Sequence, residues 1–212
     1  MTVIERSRTK LNIEAFGHMP ERPLHLSVRA VAVNEEFSGG ELILKELEME
    51  LDFGSSVATL PFNIIIPKSL SPCPAVILIS EEKDAFTVER KWAENGYAVI
   101  SLYYRDISEN NGNFKSGISS YISPSRRKKS SAGKIAVWAW AAIRALEYAE
   151  VSEEIDKGHI GVSGKGIFGL AAMLAEAYHE RFSFVLPESI PEISEEFKLS
   201  HPYLFSPNFL EL

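Results

Sequence analysis

The chain has 212 residues, 45% of them hydrophobic and 24% charged, with a formal net charge of −7. That length supports one domain with a sizeable core, and the acidic balance argues against nucleic acid, whose phosphates need a basic face. The single cysteine, Cys73, excludes an intramolecular disulfide. A charged N-terminus without an apolar signal core, and the lack of any apolar run of spanning length, read as a cytoplasmic protein with no membrane partner.

In chain order, residues 1–40 read as an irregular lead-in with Pro20, Pro23 and a Gly39-Gly40 turn, interrupted by a short strand over Val28–Val33. Leu42, Leu44, Leu47, Met49 and Leu51 fall mostly two apart, the pattern of a half-buried strand. After the Gly54-Ser55-Ser56 turn, Leu60 to Ile66 predicts its hairpin partner. Pro74 to Ile79 is a continuous apolar run, typical of a strand covered on both faces. A helix over 86–95 stops at Asn95-Gly96, and Tyr97 to Tyr103 reads as another buried strand. Residues 106–133 are polar and read as a long surface loop. Its basic run, Arg126 to Lys129, reads as a solvated tip, with an anion or partner site as the sharper alternative.

Ile135, Trp138, Ala139, Ala142, Ile143 and Leu146 lie on one helical face. A strand over 159–163, a helix over 168–178 and a strand over 182–186, stopped by Pro187, follow. The tail, 188–212, has weak periodicity and three more prolines. An antiparallel hairpin followed by alternating strands and helices predicts an α/β fold: a doubly wound, mostly parallel sheet in a single domain spanning 1–212.

One stretch carries chemistry: His159 to Ser163, then Gly164-Lys165-Gly166-Ile167-Phe168-Gly169, a strand, a tight turn and a helix. Such a turn thrusts its apex residue above the sheet edge, where a helix N-terminus can stabilise an oxyanion. The apex is Gly166. Glycine tolerates the positive φ of that position and supplies no nucleophile.

With this stretch in place, the chain resembles the glucuronoyl esterase and acetyl-xylan-esterase-like branch of the α/β hydrolases. The resemblance rests on Phe62–Pro67 with Pro74–Ile79, on Trp92–Ile100, on the Trp138-Ala139-Trp140 helix, on Ile155-Asp156 with Ile160–Gly164, and on Phe205–Phe209. It implies a shortened α/β-hydrolase fold and a carbohydrate-ester ligand, with no cofactor. The family turn reads Gly-x-Ser-x-x-Gly, so the resemblance places the missing serine at Gly166 and an often basic residue at Ile167. It also makes Glu188 the best match for a catalytic acid, one residue short of the family's Pro-x-Glu-Ser setting. The family's histidine lies well downstream, and Leu212 is expected to fall before it.

Ser163 is a weak candidate nucleophile, otherwise a hydrogen-bonded strand-end residue. His201 is a weak candidate base, reaching the turn only if the tail folds back. Lys165 and Ile167 flank the turn as candidate ligand contacts. Tyr104 and Arg105 follow a strand's carboxyl end, where such sheets bind ligands. None of the five histidines has metal-ligand spacing, so no metal is expected. Three functions follow: a degenerate hydrolase without serine-esterase activity, an active ester hydrolase with a non-standard nucleophile, or a binding protein. In the last, the strand at 182–186 forms an edge that the 190–212 tail covers or that pairs in a homodimer.

Overall fold

A computed structural model describes residues 14–211, so the reading of the N-terminus proper lies outside the described residues. Seven strands form one sheet: β1 (His25–Phe37), β2 (Leu42–Asp52), β3 (Val57–Pro67), β4 (Cys73–Ser80), β5 (Ala98–Tyr103), β6 (Ile155–Lys165) and β7 (Phe184–Glu188). Their order is β1-β2-β3-β5-β4-β6-β7. The first three strands and the β3–β5 pairing are antiparallel, whereas β5, β4, β6 and β7 run parallel. The parallel half carries the site.

β4 is buried along almost its whole length because helices cover both faces of the sheet. On one face, helix α1 (Thr87–Glu94) packs Ala93 against Leu42, Leu44 and Ile65. After two one-turn helices, α2 (Tyr104–Ile107) and α3 (Ser119–Ile122), come α4 (Lys134–Val151) and α5 (Ile167–Tyr178), packed on the opposite face. α4 is buried nearly all round, beyond the single stripe that periodicity predicts. Its second side is covered by the N-terminal segment: Trp140 Nε1 donates to the Glu21 carbonyl at 3.1 Å, and its ring stacks on Phe53.

Three readings need correction. Within the lead-in read as irregular, residues 25–37 form a full strand: β1 is thirteen residues long and pairs with β2 from His25 to Phe37, with two register shifts. β1 is an outer strand, mostly exposed: Leu26 and Val28 near its start and Phe37 at its end pack against the core, and between them the backbone of β2 orders it. The described part of the tail, 189–211, is not irregular either. It holds α6 (Glu195–Ser200), capped by Ser194 accepting from the Phe197 N–H, and two 3₁₀ turns. Finally, Pro187 does not stop the last strand but lies within β7, opposite Gly164. A proline is tolerated there because β7 has a strand neighbour on one side only.

The tail does not add a strand to β7. Its hydrogen bonds go elsewhere: Ser206 N–H to the Ala15 carbonyl and Asn208 N–H to the Lys129 carbonyl, both at 2.9 Å, while Phe205 stacks on Phe16.

Candidate functional site

Parallel register sets the site out side by side. Ser80 aligns with Tyr103, Ile79 with Gly164, and Lys165 with Glu188, so four strand ends meet at one carboxyl edge. Between them lies a cleft of about 460 Å³ whose wall includes Glu81, Glu82, Trp92, Ser163, Lys165 and Glu188.

The turn at its rim is built by three close approaches. A Cβ at Gly164 would lie 2.5 Å from the Phe168 carbonyl oxygen, and one at Gly169 would lie 3.0 Å from the Gly164 carbonyl oxygen. Only glycine lets β6 and α5 pack this tightly. Between them, Gly166 stands at φ 59° and ψ −124°. Its N–H donates to the Glu188 carbonyl at 2.7 Å, tying the apex to the end of β7. A Cβ on Gly166 would meet nothing within 4 Å. The apex therefore has the backbone and the free space for a side chain, and carries none. Helix α5 opens directly after it at Ile167; the Gly169 N–H bonds the Gly166 carbonyl at 3.1 Å, and the N–H groups of Ile167 and Phe168 are left without an intrahelical partner beside the apex.

The other predicted residues divide. Ser163, Lys165 and Glu188 line the same cleft. The Ser163 hydroxyl is engaged, donating to the Leu186 carbonyl at 2.7 Å. Glu188 is exposed. Tyr104 turns instead into the core, its ring 5.0 Å from that of Phe168 and 6.5 Å from that of Trp138. Arg105 is exposed and donates from Nε to the Tyr104 hydroxyl at 2.8 Å. Asp106, its sequence neighbour, pairs with Lys83 at 3.1 Å. His201 lies in the tail, stacked on Phe197, with Nδ1 3.0 Å from Ser200 Oγ and 3.3 Å from the Phe197 carbonyl. Among the described residues no contact joins His201 to Ser163, Ser80 or Glu188.

The loop after β4 is acidic at the cleft. Ser80 Oγ donates to the Glu82 carbonyl at 2.8 Å and accepts from the Glu82 N–H, a tight turn that holds Glu81 and Glu82 at the wall. Sequence reasoning missed Glu89. This carboxylate is buried on α1, accepts a 2.8 Å hydrogen bond from Ser101 and also lines the cleft. Its signal was its position four residues before the buried Ala93, on the inner face of the helix.

A strand, a positive-φ apex and a helix N-terminus at the carboxyl edge of this strand order define an α/β-hydrolase fold. Residues 50–192 match the family model described as glucuronyl esterase, fungi. The chain belongs to that glucuronyl esterase family. It is 27% identical over 179 residues to a 4-O-methyl-glucuronoyl methylesterase from Podospora anserina, an alignment covering 82% of this chain and 33% of the relative. The chain thus spans about a third of that curated relative. A glucuronoyl esterase from Solibacter usitatus superposes with a TM-score of 0.83 at 20% identity, covering 99% of this chain and 67% of that one. A glucuronoyl esterase variant from Sporotrichum thermophile, solved with methyl 4-O-methyl-β-D-glucopyranuronate, superposes at 0.62 with 18% identity, covering 97% and 57%. At these identities the two structures establish the shared fold.

Proposed function

We propose that the chain is an α/β-hydrolase-fold protein of the carbohydrate-esterase lineage that does not hydrolyse esters through a serine acyl-enzyme. The observation that carries this reading is Gly166: an apex in nucleophile-elbow geometry with open space where a side chain would stand. Ser163 offers no replacement, because its hydroxyl is committed to the Leu186 carbonyl and sits in the strand below the apex. The cleft beside the elbow takes a small carbohydrate-ester ligand. Lys165 anchors ligand oxygens and Glu188 remains as the acid of the site, both on the cleft wall.

The test is ester turnover by the native chain and by Gly166→Ser, with short activated esters and a methyl glucuronate. The serine would cost about 1–3 kcal/mol for its positive φ. It would also lack a positioned base, since His201 is held by its own helix end. Both proteins are expected to stay within about tenfold of the uncatalysed rate, given what a base and oxyanion site together contribute. Saturable turnover by the native chain would sink the proposal. Turnover by Gly166→Ser alone would keep the first half and show that a base is present, with His201 the first residue to replace.

A second reading is favoured by one observation: β7 pairs with β6 alone, and Leu186 on it is 43% exposed. On this reading the edge pairs with a second copy, making the protein a homodimer through its last strand. Light scattering on the native chain and on Leu186→Lys checks it: a dimer that becomes a monomer supports the reading, and a native monomer at micromolar concentration ends it.

A further inference from the structure

The long loop between α2 and α4 has a charge pattern opposite to that of the whole protein. After Glu109 it holds Lys115, Arg126, Arg127, Lys128 and Lys129 and no further Asp or Glu, and it leads into Lys134, the first residue of α4, in a chain of net charge −7. The loop folds around a cavity of about 460 Å³ lined by Asn113, Lys115, Ser120, Ser123, Ser125 and Arg127 among others, again without an acidic residue. This cavity shares no lining residue with the elbow cleft.

Arg127 is the key group. Its Nη2 donates to the Ala132 carbonyl at 2.9 Å and weakly to the Phe205 carbonyl at 3.5 Å. Among the described residues, Nε and Nη1 find no acceptor and the guanidinium pairs with no carboxylate. The Ser123 hydroxyl at the same wall is buried and also has no partner. Behind them, Phe114 carries two cations over its ring, the Arg127 guanidinium at 4.0 Å and the Lys134 ammonium at 4.3 Å. Lys134 is fully buried, held by Ser108 Oγ and the Asn113 carbonyl. Burial pushes its pKa down to about 8, with Glu109 pulling upward and Arg127 downward, and burial lowers Arg127 as well. The two cations repel each other across the ring, Glu109 acts on Lys134 but not on Arg127, and an anion beside Arg127 would relieve that repulsion. A guanidinium with unused donors is shaped for a planar or tetrahedral oxyanion.

We propose that this cavity binds a small oxyanion, the phosphate, sulfate or carboxylate group of a soluble ligand, gripped by Arg127 with Lys115 and the hydroxyls of Ser123 and Ser125 around it. The site is independent of the elbow and stands whether or not the protein turns over esters.

The experiment is thermal unfolding and calorimetric titration of the full chain with sodium phosphate, sodium sulfate and sodium glucuronate, each against sodium chloride at equal ionic strength. At least one oxyanion at roughly 10 mM is expected to raise the melting temperature several degrees above the chloride control, as any ligand of the folded state does. The arm that responds identifies the group. Lys115→Ala with Ser123→Ala, which removes no side-chain hydrogen bond or ion pair among the described residues, is expected to weaken that binding about tenfold with little change in the ligand-free melting temperature. Arg127→Lys, which keeps the charge and removes the fork, is expected to weaken it at least as much. The proposal is overturned if no oxyanion exceeds chloride, or if the Lys115→Ala/Ser123→Ala protein binds with unchanged affinity.

Discussion

Replacing Gly164 by alanine is expected to destabilise the protein by about 3 kcal/mol, the upper range for overpacking a tightly fitted site. The new methyl would lie 2.5 Å from the Phe168 carbonyl oxygen and 2.6 Å from its carbon, both backbone atoms of α5. Backbone cannot rotate away as a side chain can, so α5 must slide from β6. That movement would break the hydrogen bonds of the turn, including Gly169 N–H to the Gly166 carbonyl. Urea unfolding measures the loss. Gly112→Ala is the control, since its Cβ would meet nothing within 4 Å, and a change within about 0.5 kcal/mol is expected there. Equal midpoints for the two variants would mean that the elbow is not held by this contact.

Trp138→Ala is expected to cost about 3–5 kcal/mol, as truncating a large buried aromatic does. Trp138 is fully buried and joins three parts of the molecule. Its ring meets Phe168 edge-on at 4.8 Å, binding α4 to the elbow helix, and approaches Tyr104 at 6.5 Å. Its Nε1 donates to the Ser108 carbonyl at 3.0 Å, fixing the start of the long loop. Trp138→Phe keeps much of the packing and is expected to lose less, about 1–2 kcal/mol, chiefly by leaving the Ser108 carbonyl unpaired. Denaturant midpoints of the two variants separate packing from hydrogen bonding. A loss below about 1 kcal/mol for Trp138→Ala would contradict the role given to this ring.

The parallel half of the fold was legible because its signals are local. The apolar run of β4, the Asn95-Gly96 stop and the glycine spacing of the elbow each depend on a few neighbouring residues. β1 was legible only as the short strand over Val28–Val33; its full length was not, because most of an exposed outer strand is ordered by the backbone hydrogen bonds of β2. The breadth of burial on α4 was underestimated for a related reason: what covers its second side comes from residues 14–24 and from the tail, distant in sequence. At the site, the vacancy at Gly166 could be read directly, whereas the direction of Tyr104 could not. A tyrosine after a strand end has the same sequence signature whether its ring enters a cleft or packs on Phe168. Glu89 and Lys134 escaped notice because a charged residue in a helix reads as solvent-facing until the topology buries it.

Whether the elbow is preserved while its nucleophile is absent is tested most directly by treating the folded native chain with a fluorophosphonate probe and mapping any adduct by mass spectrometry. No adduct on any serine is expected, and Ser163 in particular should remain unmodified. Stoichiometric labelling of a single serine, abolished by prior unfolding, would contradict the account.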